Sequence, residues 1–185
     1  MKLREQGCIL KLSPLGDYGL IVTWCTAGHG VLRTAARNAR KPGSDFTGRL
    51  DLFHECELMF SQPARGDLAT LHSAELLSPR LPLRRSLLQL RLCSYLANLL
   101  LATVEPGAPG EEWHKLMSGA LDYIATSPLR PAILEHFEKR LATLHGIYTA
   151  AMPAHAALQQ HFGSLPSGRA ELVEKLRQAD ATGMS

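Results

Sequence analysis

Apolar and polar positions along this chain follow two rhythms, and the change between them falls at Pro79 and Pro82. Before that point, short runs rich in β-branched and aromatic residues alternate with turn residues, the texture of strands on a half-buried sheet. Residues 8–12 (CILKL) lead into the turn cluster 13–17 (SPLGD), and residues 20–25 (LIVTWC) follow it. Gly28, His29 and Gly30 supply the next turn, after which residues 31–39 predict a third strand, broken by Lys41, Pro42, Gly43 and Ser44. Residues 51–60 place Leu52, His54, Cys56 and Leu58 on one face and Phe53, Glu55, Glu57 and Met59 on the other, predicting a fourth. Residues 68–77 give a fifth. Five short strands in about 80 residues, spaced by regular turns, predict a small sandwich or barrel.

Beyond the two prolines the period becomes three to four residues. Leu83, Leu87, Leu88, Leu92, Tyr95, Leu96, Leu99 and Leu100 form one helical stripe, closed by the PGAPG run at 106–110. Glu111 and Glu112 open a second helix, acids being favoured near a helix start, with Trp113, Leu116, Met117, Ala120, Leu121 and Ile124 on one face. Ser127 and Pro128 stop it. Residues 130–145 predict a third, burying Ile133, Leu134, Phe137, Leu141 and Leu144, with Gly146 as its C-cap. Residues 153–162 predict a short fourth, and Ser167 caps a last one running through Gln178. The chain therefore divides into a β domain, 1–80, and an all-α helical domain, 81–185. These stripes are core rather than a cofactor box.

Composition narrows the chemistry. A chain of 185 residues with 45% hydrophobic content can bury a real core, and its net charge of +3 makes it no polycation. Cys8, Cys25, Cys56 and Cys93 form no C-x-x-C pair, which argues against a zinc ribbon or disulfide scaffold and for a reducing compartment. No basic-then-apolar leader opens the sequence, and the apolar region 83–104 is interrupted by Arg84, Arg85, Gln89, Arg91 and Asn98. A cytoplasmic protein with no membrane span is expected. No phosphate-binding P-loop, dinucleotide fingerprint or serine elbow is present, and the pair His54-Glu55 lacks the second histidine of a metalloprotease motif, Leu58 standing there. The expectation is a non-enzyme with no catalytic residues, no metal and no cofactor.

The local charge is more informative. Residues 32–49 carry Arg33, Arg37, Arg40, Lys41 and Arg49 against one acid, Asp45. A basic segment crossing a small β domain is what a sequence-tolerant phosphate-binding surface requires, because phosphate contacts supply most non-specific affinity for nucleic acid. The alternative is a solvated strand and polar turn. A partly open five-stranded barrel of the OB-fold type commonly binds oligonucleotides on its surface. Trp24, Phe46, Phe53 and Phe60 lie in this half; Trp24 and Phe53 suit structural roles, and Phe46, in the polar turn beside the basic run, is the candidate to stack a base.

The order of parts resembles the bacterial recombination mediator family RecO. The resemblance is carried by LGDYGLIVT at 15–23, TAGHG at 26–30, ARNARKP at 36–42, Ser44 and GRL at 48–50. It continues through AELL at 74–77, SYLANLL at 94–100, FEKRL at 137–141 and LHG at 144–146. It covers residues 4–146 and implies an N-terminal OB-fold barrel with a basic third strand, followed by a leucine-rich helical domain. It also implies a non-enzymatic, cytoplasmic and nucleoid-associated role in DNA repair: binding single- and double-stranded DNA, annealing complementary strands, and acting with RecR. Engagement of the acidic C-terminal tail of single-stranded DNA-binding protein, so that RecA can load, is implied as well. Such a tail needs an apolar pocket edged by cations, for which Arg130, Lys139 and Arg140 are the candidates.

The chain departs from the family's pattern in several places. Val31 and Asp45 stand where basic residues are frequent, Gly19 stands where an acid is usual, and the four-cysteine zinc site of many members has no counterpart. Fewer cations predict modest DNA affinity and a flatter salt dependence. Two other readings remain: a protein-interaction adaptor with little DNA affinity, and an RNA-binding OB protein, since phosphate contacts do not distinguish the sugar.

Overall fold

The computed structural model describes residues 1–63 and 65–182. Five strands come first: β1 (Lys2–Leu15), β2 (Gly19–Thr26), β3 (Gly30–Ala36), β4 (Glu55–Ser61) and β5 (Leu68–Ser78). They close into a barrel in the order β1-β2-β3-β5-β4. All neighbours are antiparallel except β3 and β5, which pair in parallel through Arg33–Leu68, Thr34–Ala69 and Ala35–Thr70. The long β1 serves two neighbours. Its first part pairs with β4 and its second with β2, and a register shift between Ile9 and Lys11 bends it from one to the other. Side chains that alternate inward fill the barrel, among them Ile9, Val22, Trp24, Leu58, Phe60 and Leu71. The indole N–H of fully buried Trp24 donates to Thr34 Oγ1 at 2.8 Å, so the core's largest ring keeps its one polar group satisfied.

The five-stranded OB-type barrel and the helical half are as the sequence predicts, but several boundaries differ for physical reasons. The third strand ends at Ala36 rather than residue 39, because Asn38 turns the chain with φ of 60°. The expected basic strand is thus mostly a turn. Only Arg33 lies in β3; Arg37, Arg40 and Lys41 follow it. The fourth strand starts at Glu55 rather than residue 51, since Phe53 sits at φ of 66° and breaks the alternation. Phe53 N–H donates to Ile9 O at 2.8 Å and Ile9 N–H to His54 O at 3.0 Å, so this irregular stretch is still tied to β1.

The described chain forms two compact units. Met1–Arg80 clusters with Glu105–Lys115, and Leu81–Val104 clusters with the described residues from Leu116 onward. In the first unit, Pro106 bridges Gly30 and Val31. Gly110 lies so close that a β-carbon there would stand 2.1 Å from Thr26 O and 2.2 Å from Gly30 N. Gly30 itself has φ of 60°. Below this contact, buried Glu55 accepts from Arg80 Nη1 at 2.9 Å and bonds His114 Nε2 at 2.6 Å, while Arg80 also donates to Phe53 O at 3.0 Å. A carboxylate and a guanidinium removed from water need such pairing, since an isolated buried charge is prohibitive.

The helices are α1 (Leu87–Thr103), α2 (Glu111–Thr126), α3 (Pro131–Leu144), α4 (Ala154–Phe162) and α5 (Arg169–Thr182), preceded by a 3₁₀ turn at Leu81–Arg84. The stripe beginning at Leu83 therefore splits. Ser86 stops the 3₁₀ turn and caps α1, its Oγ accepting from Gln89 N at 3.1 Å. Gly146 acts as expected: the N–H groups of Gly146 and Ile147 reach Thr143 O and Ala142 O, which satisfies the last carbonyls of α3. Ser167 stands outside α5. The helix starts at Arg169, and Gly168 O receives its first backbone bond, from Leu172 N. In the second unit, buried Glu138 holds Arg169 through two bonds of 2.6 and 2.7 Å. Burial first, then the Glu138 charge, pushes the neighbouring Tyr95 hydroxyl up to about 12, so it stays neutral. Among the described residues no helix is long and apolar enough to cross a membrane.

Candidate nucleic-acid interface

The five predicted cations do not share one environment. Arg33 projects from β3, exposed, within 3.5 Å of Asp67, itself 72% exposed. Such a surface pair is worth at most about 1 kcal/mol and yields readily to a phosphate. Arg37 is exposed just past the strand end. Arg40 folds back on the β1–β2 turn: its backbone N–H donates to Tyr18 O at 2.8 Å, and its Nη2 donates to Gly16 O and Asp17 O, both at 2.9 Å. Lys41 lies over the Tyr18 ring, its Nζ 5.4 Å from the centroid. Arg37, Arg40 and Lys41 are thus gathered at one end of the barrel, where the β1–β2 turn meets the chain leaving β3.

Arg49 is separated from that group. Its Nη1 donates to Ala74 O of β5 at 3.1 Å, and its own carbonyl takes bonds from the side chains of His54 and Cys56. The alternation predicts one strand face for those two residues, but His54 lies just before β4 and only Cys56 is in it; both side chains reach the same backbone oxygen. Phe46 is half-buried and packs against the barrel core, which leaves less of its ring for a base.

One cation escaped sequence reading. Lys11 on β1 pairs with Thr23 on β2, which pairs with Arg33 on β3. Directly paired residues share a face, so exposed Lys11 and Arg33 flank Thr23 in a row across three strands. Its signal was weak, a single lysine in an apolar run, because register and not sequence spacing brings it to Arg33.

In the second unit Arg130 stands at the start of α3, 3.2 Å from Asp180, whereas Lys139 stacks over Tyr148 at 5.2 Å and Arg140 is exposed beside it. Nine residues of helix, about 13 Å, separate Arg130 from Lys139, so the three do not form one pocket. A groove of about 880 Å³ does exist in this unit, and Leu87, Leu88, Pro128 and Leu129 line it together with Arg85, Arg91 and Lys175.

Nucleophile chemistry is not supported by the thiols. Burial, followed by the Glu55 charge, pushes Cys25 and Cys56 up to about 12, and burial raises Cys8 well above the ordinary thiol value. Among the described residues, no group of three or more histidine, cysteine or acidic side chains could hold a metal ion.

Comparison with known proteins agrees with the barrel's topology. Residues 1–80 match the family model described as Recombination protein O N terminal. A protein of Syntrophus aciditrophicus (strain SB) named DNA repair protein RecO is 33% identical over 143 residues, covering 77% of this chain and 55% of that one. A protein of the same name from Synechococcus sp. (strain JA-3-3Ab) is 32% identical over 152 residues, covering 78% and 48%. A third, from Gloeobacter violaceus, is 31% identical over 160 residues, covering 86% and 58%. The chain spans about half the length of these relatives. At 77–86% of this chain, the matched stretches are longer than the barrel alone, so the likeness reaches the helices. Residues 1–80 belong to the N-terminal family of recombination protein O, and the chain beyond them is similar to proteins named DNA repair protein RecO.

Proposed function

We propose that this chain acts at DNA in recombinational repair, as a non-enzymatic mediator that binds single- and double-stranded DNA, anneals complementary strands and helps load the recombinase RecA together with RecR. The observation that carries this reading is the run of cations from Lys11 and Arg33, on the outer strand face, to Arg37, Arg40 and Lys41 around the β1–β2 turn. Annealing requires neutralising two phosphate backbones without reading bases, and a barrel surface of this kind does so without nucleotide hydrolysis. The relatives' shared name, DNA repair protein RecO, supports the same role.

The test is anisotropy of a labelled single-stranded oligonucleotide over a range of salt. Lys11, Arg33 and Arg37 are the residues to replace with alanine, because Arg40 also holds the β1–β2 turn. Three lost phosphate contacts should flatten the log-log salt slope by about 2 and weaken binding at least tenfold at moderate salt. An unchanged slope would remove this surface from the proposal.

The groove among Arg85, Arg91 and Lys175 favours a second reading, an adaptor that captures the acidic, apolar-ended tail of single-stranded DNA-binding protein. That reading predicts tail-peptide binding that survives loss of the barrel cations.

A further inference from the structure

Single-strand binding surfaces usually combine cations with an exposed aromatic ring, because every base offers a π-face and stacking needs no base readout. The barrel half holds five Trp, Tyr and Phe residues: Tyr18, Trp24, Phe46, Phe53 and Phe60. Trp24, Phe53 and Phe60 are fully buried, and Phe46 is half-buried against the core. Tyr18 alone of the five is exposed, with half of its surface open to solvent.

Its setting is built rather than incidental. Tyr18 closes the hairpin between β1 and β2, and that hairpin is tight: a β-carbon on Gly19 would lie 2.5 Å from Leu15 O. Arg40 fixes the same turn from outside through the carbonyls of Gly16, Asp17 and Tyr18. Lys41 sits over the ring 5.4 Å from its centroid. The cation draws on the negative face of the ring and is held there, at a site where a nucleic acid's phosphate would also find it. A ring on a braced turn loses little conformational freedom when a base settles on it, which favours binding.

We propose that Tyr18 is the base-stacking residue of this surface, with Lys41 pinning the ring and meeting an adjacent phosphate. The inference rests on the DNA-binding reading above and sharpens it, because it makes unpaired strand the preferred ligand of the turn. A duplex keeps its bases stacked on one another and can offer the turn only its backbone.

The experiment compares Tyr18→Ala, Tyr18→Phe and the unchanged full chain on three labelled ligands: oligo-dT, an abasic single strand of equal length, and a duplex. Tyr18→Ala should bind oligo-dT about tenfold or more weakly, the effect of one lost stack, with the salt slope unchanged because no phosphate contact is removed. Its binding to the abasic strand and the duplex should match the unchanged protein, and Tyr18→Phe should keep oligo-dT binding. Equal weakening on all three ligands would overturn the proposal, since it would mean that Tyr18 merely supports Lys41 and Arg40. Normal oligo-dT binding by Tyr18→Ala would also overturn it, and if the Lys11, Arg33 and Arg37 replacements still weakened binding, the DNA-binding reading would stand. No binding of any ligand by the unchanged protein at low salt would overturn both.

Discussion

Replacing Glu55 with alanine should cost about 3–5 kcal/mol of stability, the largest loss expected from any single polar change in the barrel unit. Glu55 and Arg80 are each only 4% exposed at the side chain, and His114 at 2.6 Å is nearly as enclosed. Removing the carboxylate takes a counter-charge at 2.9 Å from the Arg80 guanidinium in a site with little water, and the bonds to Phe53 O and Cys8 bring no negative charge in its place. Breaking one side of a buried pair in this way costs more than the pair itself contributes. Urea denaturation followed by circular dichroism measures it, and a melting temperature lower by on the order of 10 °C should accompany it. Glu55→Gln, which keeps an acceptor but not the charge, should fall between. A loss under about 1 kcal/mol for the alanine variant would show that Arg80 finds solvent on its own.

The second large effect is steric. Gly110→Ala places a methyl group where backbone atoms of Thr26 and Gly30 already stand, 2.1 and 2.2 Å away, and backbone cannot rotate aside as a side chain can. Overfilling a packed site commonly costs about 1–3 kcal/mol, and this change should reach the upper end or beyond. The cheapest relief is for Glu105–Lys115 to lift from the turn between β2 and β3. Hydrogen exchange should then rise at residues 105–115 and at Gly30, with the far strands little changed. Uniform protection across the segment in a folded Gly110→Ala variant would mean the contact is looser than described.

How far the fold was legible follows from what each kind of signal encodes. The strands and helices announced themselves because LIVTWC and the leucine stripe are each driven by burial with a single period. Boundaries failed where one residue's backbone overrode the period, as Asn38 and Phe53 do at positive φ. The return of residues 105–115 to the barrel was invisible. PGAPG reads as a helix stop, and nothing local says that Gly110 must meet Gly30 or that His114 must reach Glu55. The cationic run was legible as charge, but its division was not. Arg40 and Arg49 bond to carbonyls more than twenty residues away in sequence, contacts that only the closed barrel creates. Packing against the core half-buries Phe46, while Tyr18 on the β1–β2 turn stays half open, a difference that two equally polar turns do not show in sequence.

Barrel closure also has a kinetic side. The seam between β3 and β5 is the shortest ladder and the parallel one, three residue pairs against seven or more for each of the other neighbours. Joining it requires the chain from residue 36 to residue 68 to be brought round, an entropic cost that the hairpins β1–β2 and β2–β3 do not carry. The barrel should therefore assemble as an open, curled sheet that zips shut at the end, and it should breathe at the same place. Amides of residues 33–35 and 68–70 should be the first in the strands to exchange. Arg33 is one half of that seam and its ion pair with Asp67 reaches across to the start of β5, so a polyanion that drew Arg33 away would ease open the last-formed part of the barrel.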